Sequence, residues 1–320
     1  MSERLAIGID LGGTQVRAAL VRAGDVLVRV AQKTDVAGGP KGVLTQFRQM
    51  IAEVSGSAPS AALASVGVSA PGPLDTEAGT VLQIPTLPGW ENFPLREVLA
   101  AELGVPVTVE NDGIAAAYGE WNFGAGRGLR NLVFATVSTG IGGGVVIDGR
   151  LMHGRRGMAA HVGHFRLAQE GPRCACGAVA CFEALAAGTA LTLRAREAAA
   201  GNRGYLAKIA AGRAVEAQDV VAGARAGDEV CLGLMAQEAE YLGQGFTGLI
   251  HLFSPDKVVM GGGVSNAFDL LAGGIHAVIR RDAMIPFKTV AVVRAELGDN
   301  AGLVGAAALS LEQSRPSSGQ

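Results

Sequence analysis

Three stretches of this sequence place glycines at the end of an apolar run, two of them beside a carboxylate or a hydroxyl. Asp10-Leu-Gly-Gly-Thr14 follows Leu5–Ile9, Ser138-Thr-Gly-Ile-Gly-Gly-Gly144 follows Leu132–Val137, and Gly261-Gly-Gly263 follows Val258–Met260. Glycine backbone at such a turn can bring amides close to phosphate oxygens, and a carboxylate such as Asp10 can hold Mg2+ directly or through water. A single loop of this kind reads equally well as a tight hairpin that needs positive φ. Three in one chain point to a nucleotide. Neither the Walker pattern GxxxxGK[ST] nor a GxGxxG leading into a helix is present, so the two common alternatives for nucleotide binding have no support.

Two further groups carry chemistry. Glu110-Asn111-Asp112 closes a strand and opens a helix, where a carboxylate can take a proton from a hydroxyl nucleophile, and Asp112 is the candidate general base. Against it stands the plain alternative that Asp112 is the helix cap. His164, Cys174, Cys176 and Cys181 follow the pattern HxxxxxxxxxCxCxxxxC, one nitrogen and three sulfurs, which suits a closed tetrahedral Zn2+ site. Such a site organises a loop and has no open position for chemistry. His161 and Glu183 would be held by the same knot. The alternative is a set of reactive surface thiols beside an unrelated histidine. His153, His251 and His276 have no motif context and read as core or surface residues, and Cys231 reads as buried filler.

The elements that must position these groups alternate between strand and helix. Val16–Leu20 and Val26–Val30 form a hairpin about Gly24-Asp25, Gly42–Val54 has helical spacing, and Ala64–Val68 reads as a buried strand ending at Ala70-Pro-Gly-Pro73. A Pro/Gly-rich stretch around Pro85–Trp90 precedes a helix at Leu95–Leu103, a strand at Val105–Glu110 and a helix through Ala115–Trp121. Leu132–Val137, a glycine turn over Ser138–Gly144, and a hairpin from Val145–Ile147 about Asp148-Gly149 then repeat the opening pattern, which predicts two related domains. Val230–Leu252 and Asn300–Leu311 read as helices, and Arg315–Gln320 as a frayed tail. A chain of 320 residues favours two domains, and two lobes imply a cleft. With a formal charge of −2 there is no basic excess for nucleic acid, and no eighteen-residue uncharged apolar run for a membrane, so the expected setting is cytoplasmic.

Taken together these motifs resemble the ROK family (repressors, open reading frames, sugar kinases) of the actin-like ATPase superfamily. The resemblance runs through DLGGT at Asp10, APGP at Ala70, LPGW at Leu87, END at Glu110, STGIGGG at Ser138, CxCGxxxCxE from Cys174 to Glu183 and GGG at Gly261. It implies an α/β fold of two actin-like (ribonuclease H-like) domains: residues 1–118 completed by a C-terminal helix over 300–313, and residues 119–299 carrying the zinc motif. It also implies an ATP-dependent kinase acting on the O6 hydroxyl of a hexose or N-acetylhexosamine, with Asp112 as the base. Gly72, Asn111, His161, His164 and Glu183 would meet the sugar. Asp10, Gly12, Gly13, Thr14, Thr139 and Gly140 would face the phosphates and Mg2+, while Gly261 and Gly262 would lie against the adenosine. Family members usually form homodimers or homotetramers.

One departure bears on the sugar. The family's ExGH reads His161-Val-Gly-His164 here, so a carboxylate has become an imidazole. N-acetylmannosamine kinases of the family can carry HxGH, whereas ENDGIAAAYGEWNFGAGRG and LPGWENFPL resemble its bacterial glucokinases, and glucose is the expected substrate. A sugar-responsive transcription regulator is the reading from another class; only Met1–Ile9 precede Asp10, which leaves no room for the helix-turn-helix domain that family repressors carry before DxGGT. A sugar-binding protein that has lost its kinase activity would lack the base or a phosphate loop, and both are intact.

Overall fold

The computed structural model describes residues 4–56, 63–84, 86–201 and 204–314; Pro85 and the tail Arg315–Gln320 lie outside the described residues. Strands β1 (Leu5–Leu11), β2 (Gln15–Arg22) and β3 (Asp25–Lys33) form a meander, followed by α1 (Gly39–Gly56), β4 (Ser65–Ala70), a small pair β5 (Leu74–Asp75) and β6 (Thr80–Val81), α2 (Leu95–Leu103), β7 (Val107–Asn111) and α3 (Asp112–Phe123). The second half begins the same way with β8 (Leu132–Val137), β9 (Ile141–Ile147) and β10 (Arg150–Leu151), then diverges into α4 (Phe182–Ala186), α5 (Gly188–Ala200), α6 (Tyr205–Ala210), α7 (Ala217–Arg225) and the long α8 (Glu229–Phe253). It closes with β11 (Lys257–Gly261), α9 (Phe268–Asp282), β12 (Ala291–Arg294) and α10 (Ala301–Gln313).

The strands make two five-stranded sheets of one topology, β3-β2-β1-β4-β7 and β10-β9-β8-β11-β12. In each the meander is antiparallel and the last two pairings are parallel. The repeat read at Leu132–Ile147 is therefore structural. Strands β4 and β8 are buried along nearly their whole length, as the continuous apolar runs require when helices cover both faces. Two large apolar clusters fill the molecule separately: one joins β1, β4 and β7 to α1 and α2, the other packs β8, β9 and β11 against α5, α8 and α9.

Helix α10 returns to the first sheet and lies against β1 and β4. The approach is so close that a Cβ on Gly8 would sit 2.0 Å from the Leu303 carbonyl oxygen, and one on Gly67 1.9 Å from that of Ala306. Only glycine fits there. The chain passes between the lobes at two places, after α3 and before α10, and one buried carboxylate ties them together. Glu120, fully buried, accepts hydrogen bonds from the backbone amides of Ala125 (2.9 Å), Glu296 (3.1 Å) and Leu297 (2.7 Å). A buried carboxylate holding three amides is strongly constrained, so the two crossings are tied to one another.

Candidate active site

Asn111 caps α3: its Oδ1 accepts from the amides of Gly113 at 3.0 Å and Ile114 at 3.4 Å. The plain alternative for this motif is thus correct, but for Asn111 and not for Asp112. Asp112 is the first helical residue, bonded through Oδ1 to the Gly113 amide at 2.8 Å. A side-chain hydrogen bond from Asn111 also reaches this carboxylate and, with the Gly113 amide, partly offsets the effect of burial. The Asn111 amide nitrogen lies beside Gly72, 3.4 Å from where a Cβ on that glycine would stand.

Asp112 is open to water yet walled by protein, and this crowding, followed by the charge of Asp10, raises its carboxyl to about 6. A carboxyl in that range is matched to proton transfer near neutral pH. Asp10 ends β1 and accepts from Ser69 Oγ at 3.0 Å and from Arg17 at 3.3 Å. Burial still raises its carboxyl against those two donors. Two carboxylates that repel one another across an open space fit a divalent cation carried in with a polyphosphate.

Gly12–Thr14 form the turn between β1 and β2, closed by Gly12 N–H to the Gln15 carbonyl at 3.0 Å and by Thr34 Oγ1 donating to the Gly12 carbonyl at 2.7 Å. Gly13 lies against Thr86. In the other lobe the turn is shorter than the glycine run suggested. Only Ser138–Gly140 turn; Gly142, Gly143 and Gly144 belong to β9. Their lack of side chains serves packing, because α3 lies on this strand: a Cβ on Gly113 would meet the Gly143 backbone at 2.5 Å, and one on Gly144 the Ala117 Cβ at 2.5 Å. Ser138 and Thr139 are exposed at the turn. Gly262, at φ 81°, turns the chain out of β11 against the Val137 carbonyl, and so brings Gly263 beside Ser138, while Gly261 packs on Phe134. No hydrogen bond among the described residues joins Gly12–Thr14 to Ser138–Gly140; the two turns belong to different lobes.

A cavity of about 650 Å³ opens from Ser138 and Thr139 into the second lobe, between the start of α5, α7 and the turn after β11. Leu191, Val221 and Val264 give it apolar walls, and Thr189, Arg225 and Asn266 stand among its polar groups. Its volume and mixed lining suit a nucleoside-sized ligand. Nothing in the sequence marked 188–228: these helices are alanine-rich and carry no motif, and only the fold brings them to Thr139.

The histidine and cysteines come together as their spacing predicted. One donor atom from each of His164, Cys174, Cys176 and Cys181 lies within 4.8 Å of all the others. Cys176 and Cys181 sulfurs are 3.7 Å apart, and Cys174 Sγ is 3.6 Å from His164 Nδ1. A tetrahedron with metal–sulfur bonds of about 2.3 Å has edges of roughly 3.8 Å, so the donor set fits Zn2+. Glu183 joins this knot to the turn below it. Its Oε2 accepts from the Ile141 amide at 2.9 Å and its amide donates to the Gly163 carbonyl at 2.8 Å. Val162 and Gly163 pack on β9, the strand that also receives the start of α3, so the loop between His161 and His164 and the helix that begins at Asp112 are seated on one strand. Burial, then the adjacent His164, holds His161 below its ordinary value and keeps it a neutral imidazole. Of the histidines without a motif, His251 and His276 each accept a backbone amide at 3.1 Å and are structural. His153 is not: its Nε2 meets the Glu110 carboxylate at 2.9 Å, a pairing across 43 residues that no local pattern could announce.

Two duplicated α/β sheets, with acids at the loop end of one and a cavity at the loop end of the other, match a two-domain actin-like fold. The sequence matches the ROK family over residues 6–313, and the chain belongs to that family. It is 37% identical to a glucokinase of Thermotoga maritima, with 96% of this chain and 97% of the relative aligned. It is 32% identical to an N-acetylmannosamine kinase of Salmonella heidelberg over 95% of this chain and 97% of that one. Among solved structures it superposes with a TM-score of 0.84 on a ROK family glucokinase from Streptomyces griseus in complex with glucose and AMPPNP, at 34% identity and covering 96% of this chain and 99% of that one.

Proposed function

We propose that this chain is an ATP-dependent hexose kinase that moves the γ-phosphoryl group of ATP to the O6 hydroxyl of glucose, releasing glucose 6-phosphate and ADP. The observation that carries the proposal is the Asp112 carboxyl, reached by water and raised to about 6 at a helix start, in a chain whose second lobe holds a cavity of nucleoside dimensions. In this reading Asp112 accepts the O6 proton as the hydroxyl attacks. Gly72, the Asn111 amide, His161, His164 and Glu183 hold the sugar; Glu183 Oε2 accepts from Ile141, and Oε1 lies 3.6 Å from Cys174 Sγ, so a hydroxyl would share Oε1 with the cysteine knot. Gly12, Gly13, Thr14, Thr139 and Gly140 receive the phosphates, and Gly261 and Gly262 lie along the nucleoside. Mg2+ accompanying ATP would neutralise phosphate charge, with Asp10 as its protein ligand. Little covalent work is left for the protein, so rate comes from alignment and from excluding water as the lobes close.

The Zn2+ assignment to His164, Cys174, Cys176 and Cys181 belongs to the same reading, with the ion fixing the loop that carries both imidazoles. The division of the chain at 118 and 299, with 300–313 returning to the first domain, draws support from the two large apolar clusters and the seat of α10 on β1 and β4, although α3 runs on to Phe123 and its Ala116 and Ala117 pack with Leu132 and Phe134 of the second lobe. No helix among the described residues is long and apolar enough to cross a membrane, and use of ATP with free thiols favours the cytoplasm. A homodimer or homotetramer is supported by exposed Leu252, Met284 and Ile285, which adjoin one another at the end of α8.

His161 favours one second reading, N-acetylmannosamine as the acceptor. A neutral imidazole offers one donor and one acceptor where a carboxylate offers only acceptors, and so discriminates less sharply between a hydroxyl and an acetamido group. A coupled ADP-release screen over glucose, mannose, glucosamine, N-acetylglucosamine, N-acetylmannosamine and allose tests both. Turnover greatest on glucose is the expected result; turnover confined to N-acetylmannosamine selects the second reading, and no turnover on any hexose overturns the proposal.

A further inference from the structure

We infer that Glu110 and His153 are a positioning pair that clasps the two lobes together behind the base, holding Asn111 and Asp112 in register with the sugar-side loop. The inference rests on the kinase reading and adds to it two residues that lie outside the substrate contacts. Glu110 is buried on β7, immediately before Asn111, and both its carboxylate oxygens are used. Oε1 accepts the Asn111 amide at 2.8 Å, and Oε2 meets His153 Nε2 at 2.9 Å. His153 comes from the other lobe, two residues past β10. One carboxylate therefore grips the backbone that carries the base and, at the same time, the segment leading to His161.

That segment is fastened a second time. Arg156 donates through Nε to Asp75 Oδ2 at 2.7 Å, and its carbonyl accepts the Thr76 amide at 3.1 Å, again across the lobes. Between the two anchors and the sugar loop the backbone is unusual. Arg156 at φ 59° and Ala160 at φ 60° occupy the left-handed region without being glycine. Such conformations persist where surrounding contacts over-determine them. Residues 153–160 are thus a braced strap, and its far end is His161. A shift of the strap against β7 moves both imidazoles relative to Asp112.

The charges around His153 set its protonation. Glu110 faces Nε2 from β7, the Leu151 backbone accepts on the same segment, and Glu312 contributes from α10. The hydrogen bond to Glu110, outweighing the opposing effect of burial, raises its pKa above the ordinary histidine value. The charged form of His153 that completes the clasp is fully populated only at and below that ordinary value, and is lost as pH rises through the raised one. Turnover should climb as Asp112 ionises near 6 and fall again when His153 loses its proton.

Steady-state kinetics with glucose and ATP across pH, on wild type, His153→Ala and His153→Gln, test this. His153→Ala should lower kcat by up to roughly 10²-fold, the scale of an ångström-sized misplacement, leave KM for ATP unchanged and abolish the alkaline fall. His153→Gln keeps an N–H for Glu110, so it should recover most of kcat while its profile stays flat on the alkaline side. Wild-type kcat with the alkaline fall intact in both variants overturns the pair. Proton NMR of the ligand-free chain separates this failure from that of the kinase reading: the one ring resonance missing in His153→Gln must titrate above the ordinary histidine range, and a value within or below that range overturns the clasp whatever the enzyme turns over.

Discussion

The two sheets share a topology and almost nothing else. At the loop end of the first stand Asp10 and Asp112, two acids on a compact lobe whose crossovers are single helices. At the equivalent end of the second, Ser138 and Thr139 replace the acid, and the connection after β10 swells into the cysteine knot and four helices before α8. A duplicated frame has been loaded unequally: charge and proton transfer on one side, space and shape on the other. The comparison teaches that the reaction centre belongs to neither lobe, and it predicts that damage to the two sides will differ in kind.

Removing the base tests the acidic lobe most severely. Asp112→Asn keeps the side-chain shape and the bond to Gly113 but cannot accept a proton, so kcat should fall by about 10²–10⁴-fold, the usual share of general base catalysis. Glucose affinity measured by calorimetry should change little. A variant with normal turnover would remove Asp112 from the mechanism. On the other lobe, Cys181→Ser should release the bound metal and cost about 10- to 100-fold in activity, as lost support around a metal does. Metal analysis should find about one zinc per wild-type chain and less in the variant; a wild-type chain free of metal would break the tetrahedral assignment. A smaller effect is expected in the cavity. Ala222 lines it, and Ala222→Phe should raise KM for ATP about tenfold, equivalent to roughly 1.4 kcal/mol of binding, with KM for glucose unchanged. A change confined to glucose would place the nucleotide elsewhere.

The unequal loading also explains what could be read from the chain beforehand. Asp10, Ser138, the END triplet and the four metal donors were legible because each group is nearly contiguous and needs its residue types whatever surrounds it. The assignment of roles within END was not: capping depends on the φ and ψ of Asn111, which are set by where β7 stops. Likewise Gly142–Gly144 carry the composition of a turn but lie in a strand, since their spacing to Gly113 and Ala117 is a tertiary matter. The cavity walls on α5 and α7 use alanine, threonine and valine, residues that fit any helix. His153 has no motif context and reads as a core or surface residue, because its partner is 43 positions away on the other lobe.

The least dramatic prediction concerns stability, and it separates the two lobes without any substrate. A folded carboxyl at about 6, raised from an ordinary value of 3.8, takes up protons more readily than the unfolded chain does. Asp112 therefore contributes most to stability when protonated, below its unfolded value, and that contribution is lost as pH rises through about 6. Asp112→Asn, uncharged throughout, should melt at a higher temperature than wild type at pH 8 and at nearly the same temperature at pH 4, by a margin kept modest because water still reaches the side chain. Strain of this kind is what a base held ready for a proton entails. Substitution of Ser138 or Thr139, which carry no charge, should show no such dependence on pH, and equal pH dependence on both sides would mean that the acidity of the first lobe is not what sets it apart.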